Sequence, residues 1–186
     1  MILRAKTHRA LHLTAIFIVA LLVFANLMLI FSFSSESRGE SASRSRSVTI
    51  AVARLLDPSF DDMSPDEQNA VVDDLHHYVR KAAHFLEFAL LGFLTAVLTV
   101  LVWRFFDPHP ILWLTLCIPA SFCLLSAVTD EVYQIFTGRG PAVKDVMIDF
   151  CGAVSGVLFL HLAVWLIGKI HCARKREAGE REDASV

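Results

Sequence analysis

The sequence predicts an all-α integral membrane protein, a four-helix bundle with an extracytoplasmic loop that carries an amphipathic helix. Three observations lead there. Hydrophobic residues make up 55% of the 186-residue chain, and its mean hydropathy is +0.54. The apolar residues fall in long runs of membrane-spanning length, while the charges collect at the two ends and in one long loop. The net charge of −2 is close to balanced and gives no reason to expect a nucleic-acid partner. Three of the four cysteines, Cys117, Cys123 and Cys151, lie inside apolar runs, and Cys172 lies in the basic tail. Their spacing matches no zinc motif, so they read as apolar filler.

Taken in order, residues 1–11 form a basic amino terminus with three cations, and the apolar run Leu13 to Phe33 follows, broken only by Thr14, Asn26 and Ser32. A signal peptide has the same charge pattern but typically an apolar stretch of only about 7–15 residues. The run is therefore expected to be an uncleaved first span, with cleavage as the alternative. Residues 34–81 form the long loop. Its first part, SFSSESRGESASRSRS, is rich in serine and arginine without apolar periodicity and reads as a solvated linker. Val48 to Leu56 is weakly amphipathic and stops at Asp57-Pro58.

Ser64-Pro65-Asp66-Glu67 supplies an N-cap, a first-turn proline and an N3 glutamate, which together start a helix. Val71, Leu75, Tyr78 and Ala82 then mark an apolar stripe. This helix either lies on the membrane surface or packs on the protein's own loop before running into the next span. The four spans are expected at residues 12–33, 82–103, 111–136 and 146–167, within a membrane domain covering 12–168, with Pro119 as a kink in the third. Residues 169–186 form a charged tail expected to be disordered. Orientation follows from the cations: nine of the 17 lie in the amino terminus, at Arg104 and in the tail, which places both termini in the cytoplasm and the loop outside.

With that topology, three spans carry ionisable groups near their outer ends. Arg80, His84 and Glu87 share one face of the second span, next to Lys81. Asp130 and Gln134 share a face of the third, with Glu131 about 100° round from Asp130. Asp145 and Asp149 share a face of the fourth, which continues through the small-residue pair Gly152 and Gly156. Asp130 and Asp149 each lie about 12 Å from the intervening turn, so both acids should point into a helix interface at similar depth. Arg139 stands in that turn between Gly138 and Gly140.

The ordered series RKAAHFLEFALLGF and DEVYQIFTGRGPAVKDVMIDFCGAVSG resembles the VanZ family of small bacterial integral membrane proteins, named after a teicoplanin-resistance accessory protein. Arg80, Lys81, His84, Phe85, Glu87, Asp130, Glu131, Gln134, Phe136, Arg139, Asp145, Asp149 and Gly152 carry the likeness, which spans about 31–166. Glu36 stands where a glutamine is common in that family. The resemblance implies a multi-pass protein of the bacterial cytoplasmic membrane, in some members lowering sensitivity to lipoglycopeptides.

Three readings of the charged set remain open at the sequence level. In the first it is an internal salt-bridge lattice that holds the spans together. In the second, Arg80, Lys81, His84, Glu87, Asp130, Glu131, Gln134, Arg139, Asp145 and Asp149 line an outward-facing pocket for membrane lipids, a lipid-linked envelope glycan or a glycopeptide. In the third, His84, Glu87, Asp130 and Asp149 perform acid–base catalysis on an envelope lipid, with a divalent ion on the same oxygens and His84 as a variant. No cofactor is implied, and no metal-ligand motif is present in the chain. The oligomeric state is left open. His76, His77 and His161 are expected to lie outside the site, and Trp103 and Trp165 to lie near the cytoplasmic interface.

Overall fold

The computed structural model describes residues 2–36, 38–107, 111–136 and 142–183, with residues 2–6, 38 and 176–183 described by their backbone alone. They form five helices: α1 (Ile2–Ser34), α2 (Arg38–Leu56), α3 (Pro65–Phe106), α4 (Leu112–Phe136) and α5 (Val143–Asp183), with one 3₁₀ turn at Phe60–Asp62. Four of these, α1, α3, α4 and α5, are long and apolar enough to cross a membrane. No strand occurs among the described residues.

The bundle is arranged as a lipid-surrounded protein requires. Many of its buried residues are small or polar: Thr95, Ala96, Thr115, Cys123, Ser126, Ala127 and Ala153. Large apolar side chains point outward instead, with Phe17 70%, Leu125 67% and Ile167 66% exposed. In water such a surface would drive aggregation, whereas in a bilayer it is the solvated face. Core anchors of larger size are few, chiefly Phe88, Leu91 and Ile30.

Helix α3 is the centre of the bundle. It touches each of the other four helices, and its largest interface is with α5. It starts where the sequence places it, with the Ser64 hydroxyl accepting from the Glu67 N–H and the Glu67 carboxylate accepting from the Ser64 N–H. It then runs unbroken for 42 residues, about 63 Å. That length exceeds an apolar core of about 30 Å, so the amino-terminal half continues beyond the span as part of the same helix. The amino-terminal half is therefore not a separate helix. This half packs on the protein's own loop, as one of the two alternatives has it. Its contact face is also shifted: Val72 is buried with Ala53 and Phe60, whereas Tyr78, placed on the apolar stripe by periodicity, is 72% exposed.

Two expected unstructured stretches are helical. From Arg38 onward the serine–arginine segment belongs to α2, whose small residues Ser45, Thr49 and Ala53 recur every four positions. That spacing makes a flat face against α3: Thr49 and Ala53 are buried, and Ser45 Oγ lies 2.6 Å from His76 Nε2. Arg46 adds bonds to Asp73 and Asn69 at 2.9 and 2.7 Å. The tail expected to be disordered continues α5 to Asp183. Lys, Arg, Glu and Ala, which dominate this stretch, are strong helix formers. Helix α4 likewise continues through the buried Pro119.

Between α2 and the 3₁₀ turn, Asp57 accepts from both the hydroxyl and the N–H of Ser59, at 2.6 and 2.9 Å. The hydroxyl bond first, and then the N–H, hold the Asp57 carboxyl below its usual value of 3.8. A lowered carboxyl contributes stability above its unfolded value, and that stability is lost as pH falls through the folded value. Amide exchange at Ser59 should therefore quicken below pH 3.8 relative to the neighbouring turn amides. A Ser59 amide indifferent to acid would show that the turn does not depend on this carboxylate.

Candidate functional site

One end of the bundle gathers the carboxyl terminus of α1, residues 80–88 of α3, the last two turns of α4 and the first two of α5. The packing that brings them together is carried by glycine. A Cβ on Gly152 would run into the Phe85 backbone, and one on Gly156 into Ala89 O and Phe93 N. Gly92, which the sequence reading did not single out, meets Ala153 in the same way. The α3 and α5 backbones therefore touch, and the face bearing Asp149 is pressed against the face bearing His84. Gly152 and Gly156 act as their spacing predicts.

Asp130 is fully buried at the meeting point of α1 and α4. Its Oδ1 accepts from Ser34 Oγ at 2.5 Å, and its Oδ2 accepts from Gln134 Nε2 at 2.9 Å. The neighbouring Glu131 accepts from the Ala142 N–H at 2.9 Å, so this acid straps the start of α5 back onto α4. Lys81 forms an ion pair with Asp145, in the first turn of α5. His84 Nδ1 lies 3.8 Å from Asp149 Oδ1.

Asp149 differs from the other acids. It is 1% exposed, and neither carboxylate oxygen has a hydrogen-bond partner. A self-neutralising lattice accounts for Asp145 through Lys81, but among the described residues it does not account for Asp149.

The cationic side of the site departs from the sequence reading. Lys81 is engaged by Asp145, Arg80 is exposed, and Arg139 lies outside the described residues. Arg44 of α2 joins instead, paired with Glu36 and standing 4.4 Å over the Phe33 ring. With Arg80, His84 and Glu87 it lines a cavity of about 210 Å³ between α2, α3 and the end of α1. Phe33, Val48, Val79 and Ala83 supply the apolar wall. Of the residues that sequence reasoning missed, Ser34 and Glu36 sit in the polar FSFSSES stretch after the first span, which did carry a signal. Arg44 carried none, because its segment read as linker.

Other histidines lie apart from this cluster, and His76, expected on a solvated helix face, instead meets Ser45 of α2. His161 bonds to Thr115 and to the Val157 carbonyl, at 3.0 and 2.9 Å. His12 donates to the Leu101 carbonyl at 2.9 Å, which ties α1 to α3 at the opposite end of the bundle.

Four apolar spans around a buried acid–histidine cluster define a small multi-pass helical membrane protein with a polar site sunk into one end. The sequence pattern of the VanZ/LLP1 family matches residues 15–165, most of the chain, and the protein belongs to that family. No curated protein and no solved structure gives a significant match.

Proposed function

We propose that the protein binds the anionic head group of a membrane or lipid-linked envelope molecule at the outer face of the bacterial cytoplasmic membrane. The cavity between α2 and α3 carries this reading, because one wall is apolar and the other presents two guanidinium groups. Such a surface fits an amphiphile whose acyl side meets Phe33, Val48 and Val79 and whose phosphate or carboxylate meets Arg44 and Arg80. Glu36 and Glu87 can accept from the hydroxyls of a sugar. The cavity lies at the level where α1 ends and α2 begins, which is head-group depth for a span closing at Ser34. The distribution of cations orients this end outward, with both termini cytoplasmic. Reduced sensitivity to teicoplanin-type glycopeptides is the cellular consequence that this location and the family suggest.

The position of His84 and Glu87 in the cavity wall favours a second reading, in which the bound head group is also processed by acid–base chemistry. One experiment addresses both. Full-length protein extracted in mild detergent is analysed by native mass spectrometry for retained lipid. Each charge-assisted contact contributes about 1.5 kcal/mol, roughly tenfold in affinity. An Arg44→Gln/Arg80→Gln double variant should therefore retain about 100-fold less of an anionic species. Arg80 is exposed, but Arg44 pairs with Glu36, whose side chain is only 14% exposed, so thermal unfolding of the variant is measured alongside and retention is compared at temperatures where both proteins are folded. Equal retention by the variant and the wild type would refute head-group binding here, and a truncated head group on wild-type protein alone would establish the second reading.

A further inference from the structure

We infer that His84, Asp130 and Asp149 form a binding site for one divalent first-row transition ion of the Mn²⁺ or Zn²⁺ type. Each of the three offers a ligand atom, from α3, α4 and α5 respectively, and these atoms all lie within 4.8 Å of one another. Bond lengths of about 2.0–2.2 Å put neighbouring donors of a bound ion roughly 3–4 Å apart, so a small rotation of the side chains closes the site.

The inference rests on more than a cluster of acids. Asp149 is 1% exposed, and both of its oxygens lack any hydrogen-bond donor. With no donor in contact and the His84 imidazole 3.8 Å away, that carboxylate requires a proton, an imidazolium or a metal cation to balance it. The other two ligands indicate the cation. Asp130 is held from behind by Ser34 and Gln134, each taking one lone pair and leaving another free on each oxygen. That is how outer partners commonly orient a carboxylate ligand. His84 turns Nδ1 toward Asp149, and an imidazole donor among carboxylates favours a transition ion over Mg²⁺ or Ca²⁺.

The ion would also resolve an electrostatic conflict. His84 belongs both to this triad and to the cavity wall, where Glu87 adds a further acid. Without a cation the inner wall would repel the anionic head group that Arg44 and Arg80 attract. A divalent charge offsets the two carboxylates that hold it and so removes most of that repulsion, and three protein ligands leave coordination positions for water or a ligand oxygen.

The test uses full-length, delipidated protein in detergent, stripped with a chelator and titrated with Mn²⁺ while free Mn²⁺ is followed by paramagnetic resonance. One saturable equivalent per chain is expected. Asp149→Asn and Asp130→Asn should each weaken it at least tenfold, and Asp74→Asn on the exposed face of α3 should leave it unchanged. His84→Asn should weaken binding and also abolish the nitrogen coupling in the spectrum of the bound ion. Asp149→Asn separates a ligand role from a folding defect: the metal-free variant should melt no lower than the metal-free wild type, yet gain nothing from added Mn²⁺. The inference is overturned if the wild type binds no saturable Mn²⁺, or if one equivalent survives undiminished in all three site variants. No lipid enters this measurement, so its failure would leave head-group binding standing, and loss of head-group binding would leave the metal result intact.

Discussion

Replacing Gly156 with leucine should prevent the bundle from assembling in its native form. The Cβ alone would overlap Ala89 O and Phe93 N. These are backbone atoms of a helix whose own hydrogen bonds fix them, so no side-chain rotation relieves the clash. Overpacking against movable side chains typically costs about 1–3 kcal/mol. Against backbone, in the largest helix interface of the molecule, the cost should exceed that range, and α5 must move away from α3 by a substantial part of a side-chain width. The shift would propagate two turns along α5 to Asp149, separating it from His84. Gly168→Leu is the matched control, because nothing lies within 4 Å of a Cβ there. Thermal unfolding in detergent should show a large drop for Gly156→Leu, an intermediate drop for Gly156→Ala and almost none for Gly168→Leu. Equal melting of the two leucine variants would show that the α3–α5 contact does not hold the bundle together.

That contact was legible in the sequence because its signal is local. Asp145, Asp149, Gly152 and Gly156 lie three or four residues apart, and helical geometry places them on one face before any fold is known. The same logic brought Arg80, His84 and Glu87 together, and equal distances from the turn matched Asp130 to Asp149 in depth. What remained hidden depends on partners distant in sequence. Helix α2 has the composition of a linker, and its helical state comes from a small-residue face that only α3 gives a reason to fold. Arg44 reaches the cavity through that docking, so no local pattern in the serine–arginine stretch marks it. Tyr78 shows the converse error: a periodic stripe identifies a face, but whether the face is buried depends on what packs there, and α2 covers the Val72 side instead. The metal triad matches no linear motif, since its donors come one each from three helices, and the sequence offered a divalent ion there only as a variant of the acid–base reading. The carboxyl-terminal continuation of α5 was misread because charge density suggests disorder, while the residues carrying that charge are good helix formers.

Asp130→Leu should destabilise the protein strongly even though it removes an acid from an apolar interior. The leucine is close in size, so no large cavity opens, and the loss lies in the groups left behind. Ser34 is 1% exposed and Gln134 6%, and each donates to one oxygen of Asp130. Removing an acceptor costs about 1–3 kcal/mol for each buried donor left without its partner. The Ser34 bond also joins the end of α1 to α4, so its loss frees α1 at the level of the cavity. A total of about 2–6 kcal/mol follows from these two bonds. Asp130→Asn should cost less, because the amide oxygen can still accept from Ser34 while only the Gln134 side is mismatched. The distinguishing case is the triple variant Ser34→Ala/Asp130→Leu/Gln134→Leu. Replacing a whole buried polar group by apolar side chains is often close to neutral, so the triple variant should melt well above Asp130→Leu despite carrying more changes. If all three variants instead melted together with the wild type, Asp130 would have no role in holding α1 to the bundle. A triple variant that regains stability but binds no Mn²⁺ would separate the two roles of this carboxylate, as a tie between helices and as a ligand.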